Sequence, residues 1–239
     1  MDIRQNMIQL STTIVPLYLQ KCNKLQFFPS GIFFSEGLAF CIFAEIFNID
    51  MIIESGIRSG VSTNILLSFF GNRISLHSND INTFPETSNT VKHLRSHENW
   101  KFHVGDGMKV IPDILADPIY RDRKIAILID GPKYADALEL SKKCFNFNNV
   151  KFVAMHDMNT VNCPQEHPVI RDLQSWKNYL FNTDVKWFRD LASDIDDKLA
   201  SKSPHWKRFK MKYPYGCGLA FVVNPLDLRW RYITGNIIR

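Results

Sequence analysis

Apolar residues recur along the chain in short, nearly continuous runs, with stretches of helical period between them. The runs DMIIES (50–55), RISLHSND (73–80), WKFHV (100–104), KIAILID (124–130), VKFVAMHD (150–157) and GCGLAFVV (216–223) read as strands. They are apolar enough to be covered on both faces, as parallel strands are. Residues 61–70 place Val61, Ile65, Leu66 and Phe69 on one helical face, and Gly71 suits the C-terminal cap. EGLAFCIFAEIF (36–47) reads as a buried helix, and 86–97, 108–115 and 134–145 are helix-like. Alternating strands and helices predict an α/β fold with a mostly parallel sheet and helices on both faces. The pattern predicts one domain over 1–239, with a helical extension at 1–35 and an acceptor-side insertion at 158–184, where Pro168 suits the first turn of a helix.

Composition narrows the setting. With 29 basic and 24 acidic residues the net charge of +5 is mild, so an anionic partner is permitted but not required. The five cysteines are scattered without a Cys-x-x-Cys pair, which predicts a reduced, cytoplasmic protein. The densest apolar run, residues 37–53, is interrupted by Glu45, Asn48 and Asp50, too often for a membrane span. The sequence specifies no oligomeric state.

In open parallel sheets ligands bind beyond the carboxyl ends of the strands. Those ends carry Glu54, Asp80, Asp106, Asp130 and the pair His156–Asp157. Any one of these acids is most simply a helix cap, but acids on so many consecutive strands point to a site. Gly56 and Gly60 lie between the first strand and its helix, where glycine permits a tight turn and the close approach of a ligand to the helix N-terminus.

ESGIRSG, with Glu54, Gly56 and Gly60, followed by Asp80 at the end of the next strand and by GDG at 105–107, resembles the class I S-adenosylmethionine-dependent methyltransferases. The resemblance implies a Rossmann-like doubly wound sheet and S-adenosylmethionine as cofactor. It assigns Glu54, Gly56, Gly60 and Ser62 to the amino-acid part of that cofactor, Asp80 to the ribose, and Asp106 with Gly107 to the adenine. Arg58 stands where the fuller pattern has its middle glycine.

ILIDGPKYADAL (127–138) and FVAMHDMN (152–159) look most like sugar and small-molecule O-methyltransferases of the macrocin type. In those enzymes acids after the fourth and fifth strands surround a divalent metal and the acceptor hydroxyl. Asp130 and Asp157 hold those places, so magnesium is allowed, but Met158 stands where a second acid or amide would complete the set. Methyl transfer to a hydroxyl requires alignment and a proton acceptor. His156, whose ordinary pKa lies near neutrality, is the expected base, with Asp157 as orienter, metal ligand or alternative base. Lys133 would steady an anionic oxygen, and a solvated helix start is its simpler reading. The implied acceptor is a carbohydrate or other small molecule.

Three alternatives stay open. SPHWKRFKMKYPYG (203–216) mixes basic and aromatic residues, as a methyltransferase acting on nucleic acid would; the turn Asp130-Gly-Pro-Lys133 lacks the aromatic that holds a flipped base. Gly56-x-x-x-Gly60 with Tyr120-x-x-x-Lys124 formally matches a nicotinamide-dependent dehydrogenase, but Tyr120 sits in a loop-like segment. A cofactor-binding scaffold without catalysis is the third.

Overall fold

Seven strands form one sheet in the computed structural model, which describes residues 3–28, 31–82, 94–158, 168–212 and 218–226. They are β1 (Met51–Ser55), β2 (Ser75–Asp80), β3 (Trp100–Val104), β4 (Ile125–Ile129), β5 (Val150–Met155), β6 (Tyr179–Asn182) and β7 (Ala220–Val223). The order across the sheet is β3-β2-β1-β4-β5-β7-β6, parallel from β3 to β5, with β7 antiparallel to both of its neighbours. The order reverses between β1 and β4, and a crevice opens at such a point beyond the strand ends.

Alternation along the strands builds two cores. Ile52, Leu76, Leu128, Phe152 and Phe221 face one side. They pack under α1 (Ile3–Cys22), α2 (Phe34–Ile46), α3 (Val61–Phe70), α7 (Lys186–Ala192), α8 (Ile195–Ala200) and α9 (Trp206–Lys212). Ile53, Ile127, Val153 and Val222 face the other, under α4 (Gly107–Ala116), α5 (Tyr134–Cys144) and α6 (Pro168–Ser175). The first side is rich in aromatic rings. Phe43 of α2 lies 4.5 Å from Phe221, which stacks on Phe181 at 5.0 Å, distances at which rings attract beyond their burial alone. The extension is anchored by Tyr18 of α1, which is buried and donates a 2.8 Å hydrogen bond to the Phe34 carbonyl.

Part of the segment expected as an insertion belongs to the body of the fold: Tyr179–Asn182 is the edge strand β6, and Val169, Ile170 and Leu173 of α6 are buried. The segment 203–216 is described over residues 203–212. It contains α9, whose Trp206 and Phe209 turn inward onto Phe27 and Phe33, while Lys210 pairs with Asp197. Trp206 and Phe209 pack on the core, so these two do not stack on a base or a sugar. The expected helix over 86–97 falls mostly outside the described residues, as does 159–167. Among the described residues no helix is long and apolar enough to cross a membrane.

Candidate functional site

A cleft of about 660 Å³ opens beyond the carboxyl ends of β1, β2, β4 and β5. Gly56, Asp80, Asp106, Gly107, Asp130, Lys133, His156 and Asp157 line it, together with Arg58, Asn79, Ile81 and Asn82. Its size suits a cofactor-sized ligand.

Backbone chemistry shapes the floor. Gly56 has φ 88, and a Cβ there would lie 2.7 Å from the Gly131 nitrogen, so glycine is needed for the turn and for the approach of the β4 turn. The Ser55 carbonyl accepts from the amides of both Asp130 and Gly131, and the Ser55 hydroxyl donates to the Gly131 carbonyl. Gly107 lets α4 start against β1 and β2, since a Cβ there would meet Ser55 Oγ at 2.5 Å and Asn79 Oδ1 at 3.0 Å. Arg58, in place of the pattern's middle glycine, takes φ 41. The backbone therefore keeps a glycine-like turn at a small conformational cost.

Asp80 Oδ2 accepts from the amides of Ile57 and Arg58 at 3.1 Å each, and its Oδ1 accepts from the Asn82 amide. With room for about four donors, the carboxylate has space for one more from a ligand. Asp106 caps α4 by accepting from the Met108 amide at 2.9 Å and also lines the cleft. For this acid the cap and the site coincide.

Glu54 is placed differently from expectation. It is fully buried beneath the β1 turn and accepts from Thr63 Oγ1 at 2.6 Å and Ser78 Oγ at 2.8 Å. Burial raises its pKa, and the hydrogen bonds from Ser62, Thr63 and Ser78 only partly oppose this. Glu54 and Ser62 fasten α3 to β2 from below, and Gly60 is the left-handed N-cap residue of α3 at φ 72. None of these three is among the residues that line the cleft.

The acceptor side is a compact set of charges. His156 Nδ1 donates to Asp130 Oδ1 at 2.7 Å and lies 3.5 Å from Asp157 Oδ1. His156 Nε2 lies 3.3 Å from Oε2 of Glu36, an ion-pair distance without hydrogen-bond alignment. Glu36, on the first turn of α2, is itself buried and accepts from the Phe33 amide at 2.7 Å. Burial disfavours a charged imidazole here, but Glu36 and then Asp130 outweigh it and raise the His156 pKa from 6.5 to about 10. His156 is thus a cation at neutral pH and has no free nitrogen to take a proton, contrary to the role expected from its ordinary pKa. Burial likewise opposes the charge on Asp130, yet His156 and Lys133 prevail and its pKa is lowered. Lys133 Nζ bridges Asp130 Oδ1 and, at 2.5 Å, Asp157 Oδ2. Burial works against its charge as well, and the two acids leave its pKa raised.

Asp130, His156 and Asp157 have ligand atoms close enough together to hold a metal ion. They do not fit a divalent metal, because the lysine ammonium lies between the two carboxylates and the imidazole is enclosed between Glu36 and Asp130. Asp157 also lines the cleft, with its side chain about a third exposed. It adopts φ 62, a conformation that costs a non-glycine residue about 1–3 kcal/mol and tends to persist at functional positions.

Sequence reasoning missed Glu36, Asn79 and Ser55. Glu36 carried a weak signal, an acid opening a mostly apolar helix. Asn79 Nδ2 donates to the carbonyls of His103 and Gly105, a role that sequence spacing does not reveal.

The strand order, the single reversed strand and the cleft at the switch point define a Rossmann-like α/β fold of the class I methyltransferase type. No family model matches the chain, and no curated protein matches it. Among solved structures it is similar to a protein assigned as a caffeoyl-CoA O-methyltransferase from Staphylococcus aureus, at 14% identity and a TM-score of 0.41, covering 78% of this chain and 81% of that one. It is also similar to the SAH-bound methyltransferase PaMTH1 of Podospora anserina, at 11% identity and a TM-score of 0.46, covering 87% and 86%. Identity this low leaves the function to be read from the cleft's own residues.

Proposed function

We propose that the cleft binds S-adenosylmethionine and that the chain methylates a hydroxyl of a sugar or other small molecule. The observation that carries this reading is the meeting of Asp80, Asp106 and Asp130, from three different strand ends, around one cofactor-sized cleft beside the Gly56 turn. Asp80 has lone-pair capacity left for a ribose hydroxyl, and Asp106, lining the same cleft, would face the base. Bound there, the cofactor supplies a methyl group on a positively charged sulfur, open to in-line displacement.

The chain's part is to orient the acceptor and remove its proton. Asp157 would take the proton from the acceptor hydroxyl, while Asp80, Asp106 and the Gly56 turn would hold the cofactor that supplies the methyl group. His156 holds Asp130 and Asp157 in place as a fixed cation. The small-molecule acceptor class is proposed over nucleic acid because Trp206 and Phe209 of the basic segment pack on the core.

One observation favours a second reading, a cofactor-binding scaffold: Asp130 and Asp157 already have cationic partners inside the chain. Calorimetry with S-adenosylmethionine, its demethylated product and NAD tests the binding, and NAD alone giving heat would refute it. Transfer of labelled methyl to any member of a hydroxyl-acceptor panel, lost in Asp157→Asn with cofactor affinity retained, separates the enzyme from the scaffold.

A further inference from the structure

The turn from β4 into α5 places a lysine where two facing carboxylates would otherwise ask for a metal ion. Lys133 is the N-cap residue of α5, and the next residue, Tyr134, is held at φ 53. From that turn Nζ reaches Asp130 Oδ1 and Asp157 Oδ2, oxygens delivered by different strands. A divalent ion ligated by both acids would have to sit within about 2.0–2.6 Å of their oxygens, in the space the ammonium holds.

We propose that Lys133 is the resident cation of this acid pair, a tethered substitute for a divalent metal, and that the site binds no divalent ion. An ammonium has three donor hydrogens. Two are used on Asp130 and Asp157, and the third is left for an oxygen of a ligand in the cleft, which Lys133 lines. The lysine therefore does two things a metal would do there: it holds the acids together against their repulsion and presents a positive charge to a ligand oxygen. It does not supply a metal's other service, a strongly acidified bound water. This inference does not rest on the methyltransferase reading, since neither its geometry nor its test involves the cofactor.

The test titrates the full chain with Mn²⁺ and Mg²⁺, by calorimetry and by thermal unfolding. The parent protein is expected to give no saturable heat and an unchanged Tm with either ion or with chelator. Lys133→Met removes the charge while keeping much of the stem. It should lower Tm in chelator, gain saturable Mn²⁺ binding and recover several degrees at saturating Mn²⁺, a response that adding Asp157→Asn abolishes. If Lys133→Met fails to fold, Lys133→Gln carries the same comparison. Saturable binding of one ion per chain by the parent overturns the proposal whatever the variants do. A folded variant indifferent to Mn²⁺ overturns the claim that the lysine stands in a metal's place.

Discussion

Replacing His156 by glutamine tests whether the imidazole is a fixed cation or a neutral base. Glutamine is close in size and keeps an N–H donor, but it cannot carry charge. The pKa rise from 6.5 to about 10, at about 1.4 kcal/mol per unit, corresponds to stabilisation on the order of 4–5 kcal/mol between the charged ring and its acids. Removing one member of a buried ion pair independently suggests a loss of about 3–5 kcal/mol, because Glu36 and Asp130 would be left buried without their counter-charge. Urea unfolding at pH 7 should therefore show His156→Gln destabilised by about 3 kcal/mol or more. The pH dependence supplies the sign. Because the folded pKa lies above the unfolded value, the stabilisation is complete below about 6.5 and is lost as pH rises through about 10. The gap between parent and variant should narrow steadily over that window. A gap under about 1 kcal/mol at pH 7 that stays flat into alkaline solution would mean a neutral imidazole, and His156 would return as a candidate base.

Asp80→Ala should weaken binding of the cofactor or its product by roughly 1.5–3 kcal/mol in calorimetry, the scale of a charge-assisted hydrogen bond. Because Asp80 also accepts from Ile57 and Arg58, Asp80→Asn, which keeps an acceptor oxygen for the turn, should lose less affinity, and equal losses would place the effect in the ligand contact rather than in the turn. Gly56→Ala should destabilise the fold by about 2 kcal/mol or more, since it meets both a positive φ and a backbone contact; a thermal melt matching the parent would show that the two turns can separate.

The parallel strands were legible because burial on both faces leaves unbroken apolar runs, and α3 was legible to the residue from its period and Gly71. β6 was not. It is four residues long, lies at the sheet edge and includes Asn182, so nothing in its pattern separates it from a loop. The strand-end acids could be picked out by position, but their division of labour could not. Glu54 and Asp80 look equivalent in sequence, yet one is locked under the turn by Thr63 and Ser78 while the other lines the cleft. The charge of His156 was hidden in the sequence for a related reason. Its charge is set by Glu36, far away in sequence on α2, and no local pattern announces that partner.

The pairing of the β1 and β4 turns has an evolutionary consequence. Gly56 rests against Gly131, and the Ser55 carbonyl ties down two successive amides of the facing turn. Where the two turns meet, the shape of the floor is thus written largely in main-chain atoms, which substitution cannot readily alter. Side chains around the rim, such as Arg58, Ile81 and Asn82, are free to drift without disturbing that contact. A lineage could change what it accepts at this rim many times while inheriting the same cofactor seat, because the parts that select and the parts that hold are physically separate.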